Sequence, residues 1–182
     1  MKKISILIGI VFLLSGCSKK ITLQKQTFTI ELGKDVYANP SLYINNADDY
    51  DTEKMEIICK ANGISKKDNR FVTGKMDYLV VGEYDFELDT GSQTIPFVIK
   101  IKDTQPPVIT KFTNDITVNK GAWIDWTKYF EASDISGVSF SVSPIIDTSQ
   151  VGDHTILVKV ADRFGNASEK EVIVHVKEVE EK

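Results

Sequence analysis

The chain has 182 residues, 42% hydrophobic and 26% charged, which is an ordinary globular composition with room for one or two domains. A net charge of −4, with Arg70 and Arg163 as the only arginines, argues against a nucleic-acid-binding protein. Two histidines and two cysteines leave almost no material for a His/Cys metal centre or a side-chain nucleophile.

Met1-Lys2-Lys3 is a short positive start, and the apolar run Ile4–Leu14 follows it. This is the build of an export signal. The run is too short to cross a bilayer as a mature helix, which takes about 20 residues. Leu14-Ser15-Gly16-Cys17 resembles the lipobox of bacterial lipoproteins. The resemblance implies a diacylglyceryl group on the Cys17 sulfur and cleavage just before it. Residues 1–16 are then a lipoprotein signal peptide, and residues 17–25 are the lipidated cysteine and its tether. Acyl chains such as palmitate hold the protein to the extracytoplasmic side of the cell membrane, and two chains suffice for a stable anchor. The spacer Ser18–Lys25 reaches at most about 28 Å when extended. Cys59 is then the one remaining thiol, so no intramolecular disulfide forms. Its strand-like surroundings (Glu56-Ile57-Ile58) predict a buried free thiol.

After residue 25 the sequence reads as short strands and turns. Thr27–Leu32 alternates apolar and polar residues and meets Gly33. Leu79-Val80-Val81 and Tyr84–Leu88 flank Gly82; Asp89–Ser92 is a turn, and Thr94–Ile101 is another strand. Alternation bounded by Gly, Asp, Asn and Ser predicts β-strands and hairpins. Pro106-Pro107 locks the backbone and lacks ladder donors, so the strand ends there and a domain boundary falls between 104 and 105. The second half repeats the first. Gly121 corresponds to Gly33, and Val151-Gly152-Asp153-His154 corresponds to Val81-Gly82-Glu83-Tyr84. Two copies of one fold follow. The spacing places an insertion in the first copy, near 45–70. Ile156, Val158 and Val160 share one strand face, as do Val172, Val174 and Val176. The chain is expected to be all-β, with domains at 26–104 and 105–177 and an acidic tail at 178–182.

Asp103–Ile109 resembles the opening of bacterial immunoglobulin-like surface domains. Gly121, Tyr129–Asp134 and Gly137, the turn Asp147–Thr155, and the hairpin Val160–Ala167 continue the likeness. The match covers nearly all of 106–177 and is weaker over 26–104. It implies two tandem immunoglobulin-like β-sandwiches acting as spacers, adhesive modules or accessory binding domains, and not as enzymes.

Candidate chemistry is sparse. His154 and His175 have no Cys or second His at ligand spacing and read as surface histidines. No nucleophile elbow, zinc-protease motif, phosphate loop or C-x-x-C is present. Asp48, Asp49, Asp51 and Glu53 form an acidic cluster, in which Asp49–Glu53 resembles the start of an EF-hand loop but fails to continue as one. Lys54 stands where its glycine is needed and Lys60 where its chelating glutamate is needed. Asp103, Asp134 and Asp162 resemble the carboxylates that hold Ca²⁺ between cadherin-like modules and are the Ca²⁺ candidates; no other cofactor is expected. Trp123 and Trp126, three apart along an extended segment, point to opposite faces, one to the core and one to solvent. An exposed indole can stack on a sugar ring or anchor a protein. The expected function is a membrane-anchored, non-catalytic binding or structural module of the cell envelope, with an envelope protein or glycan as partner and no nucleic acid. The alternatives are a surface adhesin or carbohydrate-binding module using an exposed Trp, and an envelope enzyme with a non-obvious site.

Overall fold

The computed structural model describes residues 20–179. Residues 1–19, which hold the expected signal peptide and Cys17, and the last three residues of the tail lie outside the described residues. Within them the chain is all-β, with short 3-10 turns and no α-helix, and no helix is long and apolar enough to cross a membrane.

The first sandwich holds β1 (Thr27–Glu31), β2 (Val36–Tyr37), β3 (Glu56–Cys59), β4 (Ile64–Lys67), β5 (Arg70–Thr73), β6 (Gly82–Asp89) and β7 (Thr94–Lys102). Its sheets are ordered β1-β7-β6-β3 and β2-β5-β4. The second holds β8 (Val108–Phe112), β9 (Asp115–Asn119), β10 (Phe130–Ser133), β11 (Ser139–Ser143), β12 (Gly152–Ala161) and β13 (Ala167–Lys177). Its sheets are ordered β11-β12-β13-β9 and β10-β8.

The repeat read from the glycines is a structural one. In each copy an edge strand runs parallel to the last strand, β1 beside β7 and β9 beside β13. The chain then leaves the ladder through one more bond. Leu32 N–H donates to the Lys102 carbonyl at 2.7 Å, and Lys120 N–H to the Lys177 carbonyl at 2.7 Å. Gly33 and Gly121 make the turn that follows with φ of 79° and 76°, a region costly to any side chain with a Cβ. Later in each copy a 3-10 turn begins at a capping residue. Asn39 accepts from Ser41 N–H and Asp125 from Thr127 N–H, leaving fewer orphan donors.

Two stretches differ from the sequence reading. Residues 45–70 are not a simple insertion. They contain β3, which completes the main sheet by pairing with β6, and β4, which forms a hairpin with β5. The second sandwich has no counterpart to that hairpin, so its second sheet has two strands instead of three. Residues 21–25 were expected in a free tether, but they are docked. Ile21 and Leu23 pack on the first core, Asn45 N–H donates to the Thr22 carbonyl at 2.9 Å, and Gln24 N–H donates to the Tyr43 carbonyl at 2.8 Å. Burial of two apolar side chains outweighs the freedom the segment gives up.

Each sandwich has its own core. The first is aromatic: Phe28, Tyr43, Phe97, Phe86 and Phe71 form a chain of ring contacts with centroids 5.0–5.6 Å apart. Tyr43 donates to the Tyr37 carbonyl at 2.6 Å, and burial pushes its phenol pKa up to about 12. The second is aliphatic: Ile156, Val158, Val172, Val174 and Val176 are all at most 2% exposed, on the faces the alternation predicts. Cys59 is half-buried, and burial raises its thiol pKa.

Candidate functional site

The joint between the sandwiches is built from β7, the linker 103–107 and two loops of the second sandwich. The linker is not loose. Glu31, ending β1, accepts from Thr104 N–H and Thr104 Oγ1, each at 2.7 Å. These two bonds, backbone first, hold the Glu31 carboxyl below the usual range against a small push from burial. Asn166 Nδ2 donates to the Asp103 carbonyl at 3.2 Å, and Ser168 Oγ donates to the Pro107 carbonyl at 2.6 Å. Gly33 turns close to Ile135 of the second sandwich; a Cβ there would lie 2.6 Å from its Cδ1.

Three carboxylates converge at this joint. Asp103, Asp134 and Asp162 each offer one oxygen, and these oxygens all lie within 4.8 Å of one another. The three are positioned differently. Asp162 is 7% exposed at the start of the β12–β13 hairpin; its Oδ1 accepts from the Phe164 and Asn166 amides, and its Oδ2 accepts from Asn166 Nδ2 at 2.6 Å. Burial pushes this carboxyl up, but the bonds from Asn166, Phe164 and Gly165 outweigh it and its pKa ends lowered. Asp134 Oδ1 accepts from both Ser136 N–H and Ser136 Oγ at 2.8 Å. Asp103 is the exception. Its Oδ2 is fully buried with no hydrogen-bond partner. Burial raises its pKa, the charges of Asp134, Asp162 and Glu31 add to the rise, and Ser136 opposes it.

Such a cluster has two ways to relieve its repulsion: a proton or a cation. Ca²⁺ takes 6–8 hard oxygens at 2.3–2.6 Å, so oxygens sharing one ion lie up to about 5 Å apart. Three carboxylate oxygens at this spacing suit a Ca²⁺ ion, whose shell backbone carbonyls or water would complete.

The tryptophans divide. Trp126 packs on the second core edge-on to Phe130, with centroids 6.5 Å apart. Trp123 is 83% exposed. It borders a groove of about 360 Å³ with Trp126, Val142, Ile145 and Thr148. This groove lies where β9 and β13 end, since Gly121 N–H donates to the Thr148 carbonyl and Lys120 N–H to the Lys177 carbonyl.

The sequence reading missed the surroundings of His175. Nδ1 lies 2.6 Å from Asp153 Oδ1, and Nε2 lies 3.5 Å from Asp115 Oδ1. The bond to Asp153 raises the imidazole pKa, burial opposes it, and the charge of Asp153 and then Asp115 add to the rise. Asp153 faces His175 through the β12–β13 register, and Asp115 reaches it from β9. His154 Nε2 lies 2.9 Å from the Gln150 carbonyl. Asp51 in the acidic loop pairs with Lys54 at 2.7 Å.

No family model matches the sequence, and no curated protein matches it. Among the solved structures, several chains match over most of this one. One is human mucin-like protocadherin EC1-2, at 12% identity over 89% of this chain and 100% of that one, with a TM-score of 0.34. The fibronectin(III)-like modules of Clostridium thermocellum CbhA match at 18% identity over 90% and 98%, TM-score 0.34. Sidekick-1 immunoglobulin domains 1–4 match at 10% identity over 86% and 48%, TM-score 0.38. The described residues themselves are all-β, arranged in two sandwiches.

Proposed function

We propose that the protein is a non-catalytic two-sandwich module, fixed to the outer face of the cell membrane through lipidated Cys17, whose joint is stiffened by one Ca²⁺. The observation that carries the reading is the convergence of the Asp103, Asp134 and Asp162 carboxylates, with Asp103 Oδ2 buried and unpartnered, at a linker already held by Glu31 and Asn166. A rigid joint is what a spacer or structural module needs to present its far end at a set distance. The docked segment 21–25 supports a short reach, because only residues 18–20 remain between Cys17 and the first packed side chain. Three extended residues span about 10 Å, so the first sandwich stands next to the bilayer.

Two experiments test the parts separately. Labelled palmitate should enter the full chain and be absent from Cys17→Ala, which should leave the membrane fraction. Calorimetric titration of residues 18–182 with Ca²⁺ should show one site, absent from Asp162→Asn. Heat change in neither variant nor parent would end the calcium reading and leave the anchor untouched.

A second reading is favoured by one observation, the 83% exposure of Trp123 beside its groove. Here the far end of the second sandwich binds an envelope protein or glycan by indole stacking. Retention of wall glycan or of one envelope protein on the immobilised fragment, lost in Trp123→Ala, is the expected result.

A further inference from the structure

An exposed sheet edge presents unpaired N–H and C=O groups, and natural proteins guard such edges with charge, proline or shortness. Most edges here are guarded in this way. Glu31 lies on β1, Glu56 on β3, Lys66 and Lys67 on β4, Lys111 on β8, Asp115 on β9 and Glu131 on β10, while β2 has only two residues. Strand β11 differs. Its sequence Ser139-Phe140-Ser141-Val142-Ser143 has no charge and no proline. It is the last strand of its sheet, and among the described residues no backbone hydrogen bond reaches it except from β12. Alternate residues of a strand point their backbone groups to opposite sides, so β11 offers a free ladder along its outer edge.

The same five residues are self-complementary. An antiparallel pairing about a two-fold axis at Ser141 sets Ser139 opposite Ser143 of a second copy, Phe140 opposite Val142, and Ser141 opposite itself. An aromatic residue against a β-branched one is a favourable cross-strand pair, serines can hydrogen-bond across the ladder, and no like charges meet. The match ends with the strand itself at Ser143, where Pro144 follows.

We propose that the protein self-associates through β11, two copies joining their four-stranded sheets edge to edge into one eight-stranded sheet. The occupant of the edge is a second copy of this chain. A five-residue ladder is small beside the roughly 1,600 Å² of a standard stable interface, so the pairing is weak and reversible in solution.

The test uses residues 18–182, which carry both complete cores. Residues directly opposite in an antiparallel pair have Cα atoms about 4.5–5.5 Å apart, within disulfide range. Ser141→Cys is therefore expected to form a disulfide dimer under mild oxidation at least ten times faster than Ser149→Cys, which controls for chance collision. An equimolar mixture of Ser139→Cys and Ser143→Cys should cross-link to each other faster than either alone. In sedimentation velocity at high concentration the parent chain should show dimer. Ser141→Lys, which sets two charges face to face on an exposed position, should weaken association at least ten-fold with unchanged melting temperature. The proposal is overturned by cross-linking of Ser141→Cys no faster than the control, by a parent chain that stays monomeric, or by a dimer that Ser141→Lys leaves intact.

Discussion

The Asp103 carboxylate is strained electrostatically at the joint, because one of its oxygens is buried without a hydrogen-bond partner and like charges lie near it. Its folded-state pKa lies above the unfolded value of about 3.9, so the folded chain holds this proton more tightly than the unfolded chain does. Without Ca²⁺, stability therefore falls as pH rises from about 4 through the raised value. Asp103→Asn removes the charge and keeps the shape. In chelator at pH 7 this variant should melt at or above the parent, and the difference should shrink on acidification towards pH 4. The variant should also gain nothing from Ca²⁺. A melting temperature in chelator well below the parent's at pH 7 would sink the argument. His175 carries the opposite sign. Its raised pKa means that the bond to Asp153 adds stability below the ordinary imidazole value of about 6.5, and this is lost as pH rises through the raised value. His175→Gln should lose stability at pH 5.5 and much less at pH 8.5. An equal loss at both would show that packing, not charge, holds the ring. The two sites differ in how far they could be read from sequence. Asp103, Asp134 and Asp162 sit in turn motifs at the ends of strands, where the resemblance to calcium-binding modules singles them out. The Asp153–His175–Asp115 group depends on which strands neighbour β13, and spacing along one chain does not carry that.

At the scale of elements, the two copies offer an internal control. Gly33 and Gly121 occupy the same turn at nearly the same φ, but only Gly33 approaches another element, at Ile135. Gly121→Ala should cost about 1–2 kcal/mol from the left-handed backbone alone. Gly33→Ala should cost the same plus the displacement of the Ile135 side chain, whose terminal methyl can swing aside. The chemical-melt difference between the two variants therefore measures the joint contact. Equal losses would mean that Ile135 yields freely. The long β12–β13 hairpin was legible because Ile156, Val158 and Val160 alternate against Val172, Val174 and Val176, and period two has one reading in a sheet buried on one side. Strand β3 was not. Glu56-Ile57-Ile58-Cys59 is too short to alternate, and the polar loops around it made the stretch read as an insertion. The docking of Ile21 and Leu23 was hidden for a similar reason. Two apolar residues in SKKITLQK give no period, and only the packing of the first core against them decides their place.

For the whole molecule, the separateness of the cores decides how calcium must act. The aromatic core and the valine core are distinct clusters, so each sandwich can unfold without the other. Ile99 and Ile116 are buried, one in each core, and truncating either to alanine should cost about 2–5 kcal/mol. In chelator, calorimetry should resolve two transitions, with Ile99→Ala lowering one and Ile116→Ala the other. Asp134 and Asp162 belong to the second sandwich, while Asp103 follows β7 of the first directly. A cation on all three therefore stabilises the second sandwich most, and only while the linker keeps its place. At a hundred times its dissociation constant the ion adds about 2.7 kcal/mol. The transition that Ile116→Ala lowers should rise with Ca²⁺. The other should rise less, through the linker held by Glu31. A rise confined to the transition that Ile99→Ala lowers would put the ion in the first sandwich, away from the joint. Equal independence of the two transitions with and without Ca²⁺ would mean that the joint transmits nothing, and that the two sandwiches are beads on a string instead of one stiffened module.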